Sequence, residues 1–286
     1  MKICISAEST IDLPKELLKE WDIRTLPFTL LMGEEHALDG EVGSAALFAY
    51  TEKTGQLPKT SAVNRFQYEE HFKKLRAEYD AIVHIALSSK ISSACENAKA
   101  VAEEMEGVYV VDSLSLSTGI ALEAIYARKL ANAGKSPEEI VKLVEERIPF
   151  NQTSFSLESV NYLYKGGRCS MLQMLGANLL GLKPEIFVKD GAMIAGKKYR
   201  GPMKKVVMAY VEDTLEMFPN IDPEQVFITY STAPDDVVEA VKKRLVEAGF
   251  KRIDSTRAGG TISCHCGPHC LGILYMNDGP HPVEGK

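Results

Sequence analysis

The chain has 286 residues, 45% hydrophobic and 25% charged, a balance that excludes the disordered, collagen-like and membrane classes and suits two globular units of about 100–200 residues each. Its formal charge is −6, with Lys and Arg interspersed among Asp and Glu, which argues against nucleic acid as a partner. The six cysteines, at 4, 95, 169, 264, 266 and 270, form no disulfide framework for a chain of this size, so reduced thiols are expected.

The predicted elements begin with a β-type run at 2–6, a turn-rich Glu8-Ser9-Thr10-Ile11-Asp12-Leu13-Pro14 and a charged helix ending near Trp21. The start turns polar too soon for the apolar region of a signal peptide. A second strand is expected at 25–31 and helices at 43–54 and 66–78. A buried-type strand follows at 81–87, and then a helix at 92–105, where Ala94, Ala98, Val101 and Ala102 keep helical spacing. Another apolar run spans 108–111 and another helix 118–133. Short strands alternating with longer helices predict a parallel or mixed sheet.

The pattern changes near Pro149. Strand candidates at 153–157, 185–188 and 225–230 mix with helices at 171–180, 203–217 and 234–248. The fold class is therefore α/β with two domains: 1–150, Rossmann-like with flanking helices, and 151–286, an α+β unit. The most apolar later stretch, 171–188, is interrupted by Gln173, Asn178, Lys183, Pro184 and Glu185, so no transmembrane segment is expected and the protein reads as cytoplasmic. Residues 280–286 are expected to fray.

Five segments carry chemistry-bearing residues. Pro58-Lys59-Thr60-Ser61 offers two hydroxyls to an anion, or an N-cap to the helix near Phe66. Leu87-Ser88-Ser89-Lys90-Ile91-Ser92-Ser93 lies where the buried strand hands over to a helix, the edge at which open α/β sheets bind ligands. Lys165-Gly166-Gly167-Arg168-Cys169-Ser170 combines a close-approach backbone with a guanidinium, and fits a tight turn as well. Lys197-Lys198-Tyr199-Arg200-Gly201 is a cationic face that meets either an acidic group or solvent. Ser263-Cys264-His265-Cys266-Gly267-Pro268-His269-Cys270 crowds three thiols and two imidazoles together, as a zinc site would, without the spacing of a finger or ribbon. The sequence contains no Gly-x-Ser-x-Gly elbow, Walker loop or Gly-x-Gly-x-x-Gly, so neither ATP nor NAD is expected to bind.

Taken in order, Glu8-Ser9-Thr10-Ile11-Asp12-Leu13-Pro14, Pro58-Lys59-Thr60-Ser61, Ser88-Ser89-Lys90-Ile91-Ser92, Val111-Asp112-Ser113, Gly166-Gly167-Arg168, Lys183-Pro184, Arg200-Gly201 and His265 with Gly267-Pro268 resemble the DegV family of bacterial fatty-acid-binding proteins over nearly the whole chain. The resemblance implies a long-chain fatty acid in a tunnel between or within the two domains. Its carboxylate would be held by Thr60 or Ser61 and by Ser92, with Ser93 and His265 beside it. Gly166, Gly167, Arg168 and Arg200 would lie near the ligand or face the kinase.

It also implies a carrier without catalytic residues, metal or cofactor, whose bound acid is turned into an acyl-phosphate by a separate cytosolic kinase resembling dihydroxyacetone kinase. The chain departs from the family pattern where Ala7-Glu8 replaces Thr-Asp, Ala62-Val63-Asn64 replaces Gln-Pro-Ser, Ser93-Ala94 replaces Gly-Thr, and Cys266, His269 and Cys270 replace Thr, Gly and a small residue. A rival reading stays open: an acyl hydrolase or transferase using Ser92 with His265, or a metal in the 264–270 cluster.

Overall fold

The first apolar run forms β1 (Ile3–Glu8), buried along its whole length. A 3-10 turn, α1 (Lys15–Glu20) and β2 (Ile23–Leu26) follow. The single strand expected at 25–31 is in fact two. Pro27 has no N–H for a ladder, and it separates β2 from β3 (Thr29–Met32), which joins a different sheet. A hairpin leads into β4 (Glu35–Leu38), then α2 (Ser44–Thr54), β5 (Lys59–Ser61) and α3 (Arg65–Arg76). Next come β6 (Ala81–Ala86), α4 (Ala94–Ala102), β7 (Val108–Asp112) and α5 (Thr118–Asn132). The helix α6 (Pro137–Arg147) is absent from the expected elements, although Ser136 and Glu139 form a capping box with proline at the first helical position.

The structure is a computed structural model describing residues 1–168 and 181–283; the helix expected at 171–180, together with Cys169 and Ser170, lies outside the described residues. The later elements are β8 (Asn151–Ser156), α7 (Asn161–Lys165), β9 (Lys183–Lys189), β10 (Ala192–Tyr199) and α8 (Met203–Met217). After them come β11 (Val226–Tyr230), α9 (Asp235–Glu247), β12 (Ile253–Arg257), α10 (Gly260–Cys266) and β13 (Leu271–Met276).

One sheet is four-stranded and parallel, in the order β2-β1-β6-β7. Its strand order reverses between β1 and β6, which opens a crevice beyond the carboxyl ends of those strands. A six-stranded mixed sheet runs β10-β9-β8-β13-β11-β12, with only the β11/β12 pair parallel. A three-stranded antiparallel sheet, β4-β3-β5, completes the set.

The helix α5 is buried on every face because it lies between the two large sheets, packing on β1 and β6 of one and on β8 and β13 of the other. One apolar core accordingly joins Ile5, Ile85 and Ile120 to Phe155 and Leu274.

The C-terminal segment up to residue 283 does not fray as expected. The Tyr126 hydroxyl lies 3.1 Å from His281 Nε2, and Val283 packs on the core. Among the described residues no helix is long and apolar enough to cross a membrane.

Candidate binding site

A cavity of about 750 Å3, counted as space between atoms and including its mouth, lies where the crevice of the parallel sheet meets the six-stranded sheet. Leu87, Ile91, Phe155, Leu163, Met193 and Leu274 supply much of its apolar wall. Thr60, Ser92, Arg168 and His265 also line it, drawn from four separate stretches of chain.

Thr60 sits on β5, opposite Leu30 of β3. Successive strand residues point to opposite faces, so Thr60 faces inward while its neighbours Lys59 and Ser61 are exposed. Pleating therefore leaves Ser61 outside the cavity wall. Ser92 lies in the turn after β6, and its Oγ accepts the Ala94 N–H at 3.2 Å. Ser93, at the helix N-cap, makes no capping bond and faces solvent. The loop's first serine, Ser88, donates at 2.7 Å to the Gly191 carbonyl and so ties the β9–β10 hairpin to the parallel sheet.

His265 rides on α10, and its Nε2 is 2.9 Å from Thr60 Oγ1. That short helix is held at its start by two carboxylates. Asp12 accepts the Gly259 N–H at 2.8 Å, and Asp39 accepts those of Gly260 and Thr261 at 2.7 and 3.2 Å. Burial, with Asp39 nearby, pushes the Asp12 carboxyl well above the usual range despite bonds from Ser117 and Gly259.

Burial, aided by the Arg168 charge, lowers His265 to about 4, so the ring is neutral near pH 7. Its Nδ1 has no partner. A neutral ring donating through Nε2 to Thr60 leaves Nδ1 as a bare acceptor, which costs less than a stranded N–H, and it frees the Thr60 hydroxyl to donate into the cavity. The tautomer is assigned on this energetic ground.

The Gly166 Cα packs on the same ring, and Gly167 takes the left-handed backbone (φ 73°) at the end of α7. The Arg168 guanidinium donates to the Gly166 carbonyl at 2.8 Å. Arg200 is exposed beyond β10 and does not line the cavity.

Of the thiols of the 264–270 cluster, two stay together: the Cys266 and Cys270 side chains are hydrogen-bonded neighbours. Cys264 packs with Leu30 and Leu47, whereas Cys266 and Cys270 line the cavity, and His269 is exposed. Among the described residues no group of three His, Cys, Asp or Glu side chains is placed to hold a metal. No hydrogen bond joins Ser92 to His265; the imidazole is engaged by Thr60.

The sequence reading misses Met193 on β10 and Thr261 on α10, both on the cavity wall. The first had a signal. Asp190-Gly191, with φ of 50° and 81°, is the dipeptide of a tight hairpin turn.

The family model described as "Uncharacterised protein, DegV family" matches residues 2–278. The chain belongs to the DegV family. This DegV chain is 30% identical over 281 residues to a DegV domain-containing protein of Clostridium acetobutylicum, a match covering 96% of this chain and 98% of that one. It is 28% identical over 282 residues to a protein of Thermotoga maritima named a fatty acid-binding protein, covering 96% and 97% of the two chains. A crystal structure of a DegV lipid-binding protein from Thermotoga maritima superposes with a TM-score of 0.86 at 26% identity, over 98% of this chain and all of that one. The match confirms the α/β architecture with a parallel sheet and a second, mixed sheet.

Proposed function

We propose that the cavity holds one long-chain fatty acid, with its carboxylate at Thr60, Ser92 and His265 and the charge of Arg168 nearby, and that the protein presents this acid to a separate cytosolic kinase for acyl-phosphate formation. The observation that carries the reading is an apolar cavity whose wall includes the Thr60–His265 pair. Each buried methylene contributes about 0.8 kcal/mol, which retains a long tail, while a carboxylate withdrawn from water requires donors such as these hydroxyls. The residues before and after position 150 then form facing walls of one lipid site. The relatives named for lipid or fatty-acid binding support the ligand class. The kinase follows from the family resemblance and from the lack of a nucleotide motif in this chain. Arg200, exposed and away from the cavity, is assigned to the kinase contact.

Native mass spectrometry of protein purified from bacteria is expected to show one bound fatty acid. Mixing that protein with the kinase and ATP is expected to yield acyl-phosphate. Protein that is empty in every preparation and takes up no added acid overturns the reading.

A further inference from the structure

Besides the head-group residues and the phenol of Tyr230, the cavity wall carries four serine and threonine hydroxyls: Ser117, Thr229, Ser231 and Thr261. Three of them are engaged by the protein. Ser117 donates to Asp12 at 2.5 Å. Thr229 bonds Thr118 at 2.6 Å and Thr256 at 3.1 Å. Ser231 donates to the Gly267 carbonyl at 2.6 Å and accepts the Cys270 N–H at 3.2 Å.

The fourth is not. Thr261 is 4% exposed, and its Oγ1 has no hydrogen-bond partner. A threonine inside a helix relieves such a hydroxyl on the carbonyl one turn back. Thr261 stands in the first turn of α10, so that outlet is missing, and the nearby Ala258 carbonyl already accepts from Ser263 at 3.1 Å. A buried hydroxyl without a partner is destabilising, and an ordered water or a bound molecule would satisfy it.

Thr261 and His265 are four residues apart, so they share one face of α10. Four helical residues rise about 6 Å, roughly the span of four to six carbons of an extended chain with bonds of about 1.5 Å. We infer that Thr261 is a second polar station on the cavity wall, which selects acyl chains bearing a hydroxyl or similar oxygen substituent in the half nearest the carboxylate. The inference rests on the fatty-acid reading and names a substrate class within it.

Displacement of a fluorescent fatty acid tests it with three ligands: hexadecanoic acid, the same acid hydroxylated at the fifth carbon, and the acid hydroxylated near the methyl end. One net hydrogen bond predicts that the fifth-carbon hydroxy acid binds about two- to ten-fold tighter than its parent. The preference is expected to vanish in Thr261→Val, which keeps the side-chain shape, and to persist in Thr261→Ser. Thr261→Val is also expected to melt no lower than the parent protein, because it removes an unpaired polar group.

An equal ratio of hydroxy acid to parent acid in the wild type and in Thr261→Val overturns the inference, as does a lowered melting temperature, which would mark the hydroxyl as a structural partner. Binding of the parent acid at ordinary affinity alongside either result leaves the fatty-acid reading standing. Failure of all three acids to bind the wild type overturns that reading and this inference with it.

Discussion

The Cα of Gly166 rests against the imidazole of His265. A Cβ at that position would lie 2.5 Å from Nδ1 and 2.9 Å from the Tyr162 carbonyl oxygen. The backbone of Gly166 is ordinary (φ −77°), so glycine is required here by space, not by conformation. Gly166→Ala is expected to push the ring away from Thr60 and weaken fatty-acid binding about ten-fold or more, with a small loss of stability. Titration with a fluorescent fatty acid measures this; unchanged affinity would mean that the ring gives way without disturbing the site.

Thr60 and Ser92 are expected to act separately from Arg200. Removing a hydroxyl that donates to a carboxylate costs about 1.5–3 kcal/mol, roughly a ten- to hundred-fold loss of affinity. Thr60→Ala and Ser92→Ala should each show that loss. Arg200→Ala should retain lipid fully and slow only acyl-phosphate formation, as followed by kinase turnover on loaded protein. Equal lipid loss in all three variants would contradict the division.

With His265 near 4, binding at the proposed head-group site is not expected to titrate where an ordinary imidazole does. Fatty-acid affinity is expected to be flat between about pH 6 and 8. A step near 6.5 would show that the ring is protonated in that range and would place it in a wetter site.

Acid, by contrast, weakens the folded state at two buried imidazoles. Burial, with the nearby His84, lowers His71 to about 4, and His265 sits near the same value. At these two imidazoles the unfolded chain binds more protons than the folded one between about 6.5 and 4, so their contribution to stability falls with pH across that window, while the raised carboxyls of Asp12, Glu123 and Glu185 act in the opposite sense. Glu8 adds to the loss at the lower end. Burial raises its carboxyl, but His84, Tyr68 and the Leu87 N–H outweigh this, so it titrates below its ordinary value and its contribution is lost as pH falls through that lowered value. Urea melts from pH 8 to 4 are expected to fall off less steeply on the acid side in His71→Gln than in the unchanged protein.

Glu185 works in the opposite sense. Burial lifts it to about 7 against the pull of the Lys197 N–H and the Thr214 hydroxyl. A carboxyl raised in the folded state loses stability as pH rises from its unfolded value toward that point. Glu185→Gln is expected to stabilise the protein by about 1–3 kcal/mol at pH 8 and by much less at pH 5, as read from denaturant melts.

The legible parts of the sequence were those with a strong local period. The helices α8 and α9 and the strands β1, β6 and β11 stood out because each buries one continuous apolar run or stripe. The stretch after α9 was harder to read. The helix α10 has seven residues and draws its stability from Asp12 and Asp39, more than 200 positions away, so no window of sequence contains its cause. Thr60 and Ser92 were visible as hydroxyl-rich loops beside strands and helices. The choice of Thr60 over Ser61 depends on the pleat of β5, and that is fixed only when the strand pairs with β3. Met193 and Thr261 carry no motif, and their place on the wall is set by contacts between sheets.

Thr60 and His265 stand 205 positions apart, and this sets the order of events during translation. The N-terminal hydroxyls leave the ribosome long before α10 does, so a nascent chain has the loops of the proposed head-group site but not the imidazole that bonds Thr60. Lipid capture at the proposed site would therefore await synthesis of α10. A chain interrupted before α10 lacks both that imidazole and β13, and is expected to hold no acid.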